Sequence, residues 1–405
     1  MLSNGLSLIP PDPIFETTKL FNADSNPKKV NLGQGTYKDD HGQPFVFPAV
    51  KEAKQRLIDG NHEYLPILGL PAFRQEAKKL IFGEKAKAVI DGRVATCQAL
   101  SGTGSLHLAG AFLRRVTKNT STVYVTDPSW SNHRAVFESA GFPVTAYRYL
   151  DSAGRFDYEN LLQTLNAATT GSIFVLHASA HNPSGRDPTC EQWQEICKIM
   201  HQRKLFALFD AAYLGLTTGD FENDVWPICY FASQGLELGV CLSFAKIMGL
   251  YGERVGALSF LTESQSEVAI VESHLEQLMR AEISNPPAFG ARVATEVLQD
   301  TELNASWREQ LGRMSARLQS MRQRLVDELN GFGCKKDFSH VVEQVGMFSI
   351  LGLDLQQVTR LREEYSIYMA DSPSQLSRIS IAGLNDGNVA YVAHSIHAVC
   401  QEGEL

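Results

Sequence analysis

The sequence predicts an α/β protein: a mostly parallel sheet sandwiched by helices in a large domain, with a smaller α+β domain. Three observations predict this. Residues 122–126, 172–176, 205–209, 240–243 and 256–261 are short, mostly apolar runs with no charged residue. Strands apolar on both faces belong to a sheet covered by helices on either side. Helical periodicity fills the gaps between them, as in residues 191–201 (EQWQEICKIMH), which is the alternation of a parallel or mixed α/β sheet. With 405 residues, 44% of them apolar and 20% charged, the chain can bury a large core and two domains.

The elements follow in order. The prolines of residues 10–13 (PPDP) favour an extended N-terminal arm. Residues 1–13 have no basic n-region, so no signal or transit peptide is expected. Residues 106–113 have a helical pattern and follow the small-residue stretch 100–104 (LSGTG). Residues 306–329 are helical and charged and carry the chain out of the large domain; short strands and helices follow Phe332. The expected division is 1–44 for the arm and part of the small domain, 45–312 for the large domain and 313–405 for the small C-terminal domain.

Composition excludes several classes. The net charge is −8 with no basic stripe, which argues against nucleic acid. No apolar run would span a bilayer, so no membrane partner is expected. Seven cysteines are dispersed without a CxxC pair. That set reads as reduced thiols in a cytoplasmic protein, with no disulfide framework and no metal site. Gly33-Gln34-Gly35 lacks the third glycine of a dinucleotide fingerprint, and no Lys-Ser/Thr makes residues 100–104 a P-loop.

Ligands of open α/β sheets bind beyond the carboxyl ends of the strands, so the residues just past each run form one candidate set. Lys246 follows the run 240–243; it is either an ordinary surface lysine or one whose pKa desolvation lowers, which suits Schiff-base chemistry. Ser243 and Arg254 flank it and suit a phosphate, which together with the lysine points to pyridoxal phosphate. Asp210 interrupts the apolar stretch 205–214 and needs a charged or hydrogen-bonded partner. A pyridinium nitrogen is one such partner; a helix-capping role is the other. Tyr213 and Asn182 suit donation to a phenolate, or else a satisfied core hydroxyl and a turn. Trp130 offers a ring face for stacking, or else plain core packing, and His133 suits a hydrogen bond to Asp210 from behind, or else a structural role. Ser101, Gly102 and Thr103 precede a helical pattern, where backbone N–H groups favour an anion. Arg280 and Arg378 are guanidinium groups for the two carboxylates of a dicarboxylic substrate, or ordinary surface arginines.

Taken together these segments resemble the aspartate aminotransferase family, a branch of the fold-type I pyridoxal-phosphate-dependent transferases. The matching stretches run in order from residue 13 to residue 398: 30–33 (VNLG), 63–67 (EYLPI), 100–104 (LSGTG), 180–185 (AHNPSG), 209–213 (FDAAY), 243–246 (SFAK), 249–256 (GLYGERVG), 284–287 (SNPP) and 345–349 (VGMFS).

The resemblance implies pyridoxal 5'-phosphate as cofactor. It implies transfer between L-aspartate and 2-oxoglutarate, giving oxaloacetate and L-glutamate by a ping-pong mechanism. By that resemblance Lys246, Asp210 and Tyr213 are catalytic, and Lys246 is the Schiff-base lysine and proton carrier. Ser101, Gly102, Thr103, Ser243 and Arg254 match the phosphate site, with Trp130, His133 and Asn182 around the ring. Gly35, Trp130, Asn182, Arg280 and Arg378 match substrate-binding positions. Tyr64 and Arg280 match residues that reach the neighbouring subunit's site, so a homodimer with shared active sites is implied.

Within the resemblance the alternatives are a broad-specificity or aromatic aminotransferase, and a catalytically silent interaction paralogue. Three departures stand out: Ile247 where the family usually has asparagine, Gln34 where a small apolar residue is usual, and a connection at 369–377 about four residues longer than usual.

Overall fold

The structure is a computed structural model, and it describes residues 5, 7–9, 11–117, 120–370 and 377–401. In chain order the strands are Val30–Asn31 (β1), Val94–Leu100 (β2), Val123–Asp127 (β3), Val144–Arg148 (β4), Ile173–His177 (β5) and Phe206–Ala211 (β6), then Leu238–Ser243 (β7), Val255–Leu261 (β8), Phe348–Ile350 (β9), Ile367–Tyr368 (β10) and Arg378–Ser380 (β11).

A seven-stranded sheet has the order β2-β8-β7-β6-β5-β3-β4. The pairs β3·β4, β3·β5, β5·β6 and β6·β7 are parallel, and β8 runs antiparallel to both neighbours. Every residue of β5, β7 and β8 is buried, as their apolar runs require. The five expected strands are present within a residue or two of their predicted bounds. The sequence reading did not include β2, whose Thr96 and Gln98 break the apolar run, or β4, an edge strand with exposed Thr145, Ala146 and Arg148. The helix expected at 106–113 is Ser101–Val116, so the small-residue stretch forms its first turn.

The expected 306–329 helix is Thr301–Gly331, one continuous rod that crosses the predicted 312/313 boundary. Asp300 caps it by accepting from the N–H groups of Glu302 and Leu303. Leu303, Trp307, Leu311, Met314, Leu318, Met321, Leu325 and Leu329 recur at helical spacing and are buried. Arg322 is buried on the same rod; it donates to the carbonyls of Gly346 and Phe348 and to Ser349 Oγ, which satisfies a cation there. Beyond the rod β9 pairs antiparallel with β11, and β10 pairs parallel with β1 from the N-terminal part of the chain. Of the long connection at 369–377, residues 371–376 lie outside the described residues.

Among the described residues no helix is long and apolar enough to cross a membrane. No group of three or more His, Cys, Asp or Glu side chains is placed to hold a metal there.

Candidate active site

The register of the sheet assembles the site. β5 and β6 place His177 beside Asp210, and β6 and β7 place Asp210 beside Cys241 and Ala211 beside Leu242. The carboxyl ends of three parallel strands therefore open at one level. Lys246 stands three residues past the end of β7. The strand stops at Ser243, and a single helical turn, Phe244–Ile247, carries the lysine. Ser243 Oγ caps that turn by accepting from Ala245 N–H.

Asp210 is held by a relay. His133 Nε2 lies 3.0 Å from Asp210 Oδ2, and Ser129 Oγ lies 2.8 Å from His133 Nδ1. Burial by itself raises the Asp210 pKa; the His133 hydrogen bond foremost, with the electrostatics of His133 and Lys246, outweighs it and holds the carboxyl below its ordinary 3.8. The group is therefore an anion at neutral pH, although its side chain is only 10% exposed.

Lys246 is the opposite case. Burial pulls its pKa from 10.5 to about 8; Asp210 pushes upward, and Arg254 and Arg378 add to the fall. Its Nζ lies 5.9 Å from the Tyr213 ring centroid. Tyr213 has its pKa raised, first by burial and then by Asp210, so its phenol stays protonated. Asn182 Nδ2 donates to Tyr213 Oη at 3.1 Å, which leaves the Tyr213 O–H free to donate elsewhere.

Arg378 forms the far wall. It donates to Asn182 Oδ1 at 3.2 Å and to the Gly33 carbonyl at 2.8 Å, and its guanidinium lies 4.2 Å from the Phe348 ring centroid. It is 1% exposed, and its Nε is buried without a hydrogen-bond partner among the described residues. Burial lowers its pKa to about 10, so it remains a cation. An orphaned buried donor is costly, and a carboxylate would complete it. Gly35 makes room beside this wall: a Cβ there would stand 2.9 Å from Phe348 Cζ and 3.9 Å from Lys246 Cε.

At the other end Ser101 Oγ and Ser243 Oγ are 2.9 Å apart, at the first turn of Ser101–Val116, where Gly102 and Thr103 follow. Gly256 permits that approach, because a Cβ on it would stand 2.7 Å from Ser101 Cα and 2.6 Å from the Leu242 carbonyl oxygen. The Ser101 and Arg254 backbones have φ of 60° and 53°, left-handed values that L residues adopt only under tertiary constraint. Trp130 packs edge-on to His133, with ring centroids 5.2 Å apart. Tyr64 and Arg280 are not brought into this cluster. Both are exposed, and Arg280 contacts Ser284 Oγ.

Sequence reasoning missed three parts. Phe348 lies against Arg378 and edge-on to Tyr213; the family-like motif at 345–349 gives it no role by itself. His177 and His181 are buried, and burial drives both pKa values well below 6.5, so both are neutral. Asp187 accepts from the N–H groups of Ala180 and His181 and so shapes the Asn182 turn. An Asp five residues past Asn182 carries no periodic signal that would have marked it.

The residues fit a pyridine aldehyde phosphate. A buried anion stands where a ring nitrogen needs one, a low-pKa amine faces it, and two hydroxyls meet a helix start at the end where a phosphate would lie. Fold and site thus define an α/β enzyme that carries pyridoxal phosphate. The chain belongs to the aminotransferase class I and II family, whose model matches residues 27–396.

The mitochondrial aspartate aminotransferase of Dictyostelium discoideum is 43% identical over 396 residues, 97% of this chain and 92% of that one. The cytoplasmic aspartate aminotransferase of Oryza sativa subsp. japonica is 44% identical over 398 residues, 97% of each chain. A solved aromatic-amino-acid aminotransferase from Burkholderia pseudomallei, covalently bound to pyridoxal phosphate, superposes with a TM-score of 0.94. It is 41% identical over 99% of this chain and 100% of that one.

Proposed function

We propose that this aminotransferase moves the amino group of L-aspartate to 2-oxoglutarate, giving oxaloacetate and L-glutamate in two half-reactions. The observation that carries it is the Arg378 wall: a buried guanidinium whose Nε has no partner among the described residues, stacked on Phe348, which with Lys246 borders Gly35. An α-carboxylate completes its hydrogen bonds and sets the α-carbon toward Lys246.

When bound, pyridoxal 5'-phosphate supplies an electron sink for the carbon that loses its α-proton. Lys246 would hold it covalently through Nζ, Asp210 at its ring nitrogen, and Asn182 and Tyr213 at its phenolate oxygen. Ser101, Gly102, Thr103, Ser243, Arg254 and a partner's Tyr64 position would hold its phosphate, with Trp130 over the ring. Lys246 Nζ takes the proton from the substrate α-carbon and returns it, a task suited to an amine whose pKa is brought down to about 8. Asp210, kept ionised by His133, favours a cationic ring throughout. Arg280, exposed on its own subunit, would reach the distal carboxylate in the other subunit of a homodimer.

The same reading takes 45–312 as the large domain and 1–44 with 313–405 as the rest, which the β1–β10 pairing supports. It places the enzyme in the cytoplasm, supported by the rice relative.

The purified protein should show a visible cofactor band that L-aspartate bleaches and 2-oxoglutarate restores. A protein without that band, or with a band indifferent to both, would overturn the reading. The second reading, an aromatic or broad-specificity aminotransferase, is favoured by the similarity to the Burkholderia enzyme. Values of kcat/KM for aspartate, tyrosine and phenylalanine separate the two.

A further inference from the structure

Two pairs of cysteines that the sequence scatters meet in the fold. Cys97 and Cys241 lie in the sheet core, both completely buried, out of reach of any reagent. Cys334 and Cys400 meet at the surface. Cys334 follows the long rod Thr301–Gly331, and Cys400 lies in the last turn of the C-terminal helix Val389–Gln401. Both are half-buried and free. They line one cavity of about 380 Å³ together with Lys335, Lys336, Gln357 and Gln401. The Cys400 thiol is within hydrogen-bonding reach of Cys334.

We propose that Cys334 and Cys400 are a modification site, a surface dithiol that closes to an intramolecular disulfide by exchange with a small-molecule disulfide of the glutathione class. The cavity admits the oxidant, and its two lysines favour the anionic carboxylates of such a molecule. The Cys334 thiol loses its proton to solvent, and its sulfur attacks one sulfur of the oxidant. The oxidant's S–S bond breaks, one thiolate leaves, and a mixed disulfide remains on Cys334. Cys400 then loses its proton, and its sulfur attacks Cys334 Sγ and expels the second thiolate. Two protein thiols are oxidised, and one small disulfide is reduced to two thiols.

Burial foremost, with the neighbouring Cys334, raises the Cys400 pKa to about 11, while Lys336 opposes it. Cys400 is thus a protonated thiol at neutral pH, and it must lose that proton before it attacks the mixed disulfide, so bridge closure quickens as pH rises. The loop closed between residues 334 and 400 contains β9, β10 and β11, and with them Phe348 and Arg378. The bridge would staple the last turn of the chain's final helix to the end of the rod.

The test uses the reduced holoenzyme, incubated with oxidised glutathione and digested without reductant. Peptide masses should show one Cys334–Cys400 bridge per chain, two thiols lost and two glutathiones released, all reversed by dithiothreitol. In Cys400→Ser, Cys334 should stop at one glutathione adduct. Phenylarsine oxide, a probe for paired thiols that needs no variant, should bind one arsenic per chain across the same two peptides. A wild-type protein that keeps glutathione on Cys334 without bridging would overturn the proposal. So would a bridge that instead involves the exposed Cys190, or arsenic that fails to bind.

Discussion

The low pKa of Lys246 can be tested without turnover, because it belongs to the polypeptide. Burial brings it from 10.5 to about 8. At pH 7.5 about a quarter of the Lys246 amines are then unprotonated, against about one in a thousand for an ordinary lysine. The advantage in free amine is roughly two hundredfold. The assay is competitive acylation of the cofactor-free protein with a limiting reagent across a pH series, read from the mass of the Lys246 peptide. Half-maximal labelling is expected near pH 8. Asp210→Asn sharpens the test: the Asp210 anion favours the ammonium and raises the lysine pKa, so removing it must lower the midpoint further. A wild-type midpoint above pH 10, or an upward move in Asp210→Asn, would refute the reasoning.

Three further outcomes are expected. Gly35→Ala puts a methyl 2.9 Å from Phe348 Cζ and 3.9 Å from Lys246 Cε. Overpacking of that kind costs about 1–3 kcal/mol, so KM for aspartate should rise by roughly tenfold, and an unchanged KM would remove Gly35 from the substrate site. Trp307→Phe deletes the donor to the Ile247 carbonyl. A buried acceptor left unpaired costs about 1–3 kcal/mol, which a denaturant titration should show as a lower midpoint at unchanged slope. For the shared site, Lys246→Ala and Arg280→Ala homodimers should each be crippled with aspartate. A verified heterodimer of the two should recover about half the wild-type activity, since one of its two sites then holds both native residues; no recovery would count against cross-subunit sites.

The strand cores and the polar residues that end them were legible for one reason. A fully buried parallel strand must be apolar throughout, so the first charged or polar residue past it stands out. Asp210 after the run 205–209 and Ser243 after 240–242 are such cases. β4 was not legible because this edge strand is mostly exposed, and Thr145, Ala146 and Arg148 read as a loop. Phe348 was not legible as a site residue because nothing in a buried aromatic tells whether it packs on core or on a guanidinium. Only the β9–β11 pairing, which sets Phe348 opposite Ser380 in the strand that Arg378 begins, decides that. The cysteines show the same limit, since spacing in sequence says nothing of contact between the ends of two helices.

Ile247 departs from the family pattern beside the central lysine, and the fold supplies a physical reason that it fits. Its side chain is fully buried, and its carbonyl accepts from Trp307 Nε1 at 2.5 Å. The lysine turn is thus pinned to the rod Thr301–Gly331 by apolar packing and one backbone acceptor, and neither needs an amide side chain. The same rod reaches the opposite wall: Arg322 donates to the Phe348 carbonyl at 3.0 Å, and Phe348 carries Arg378 on its ring face. Trp307 and Arg322 are separated by about 22 Å of helix at the usual rise per residue. One rigid element therefore bonds both the residue next to Lys246 and the residue whose ring carries Arg378. A bend in that rod between Trp307 and Arg322 would change the distance between Lys246 and Arg378 while leaving the hydrogen bonds within each wall intact.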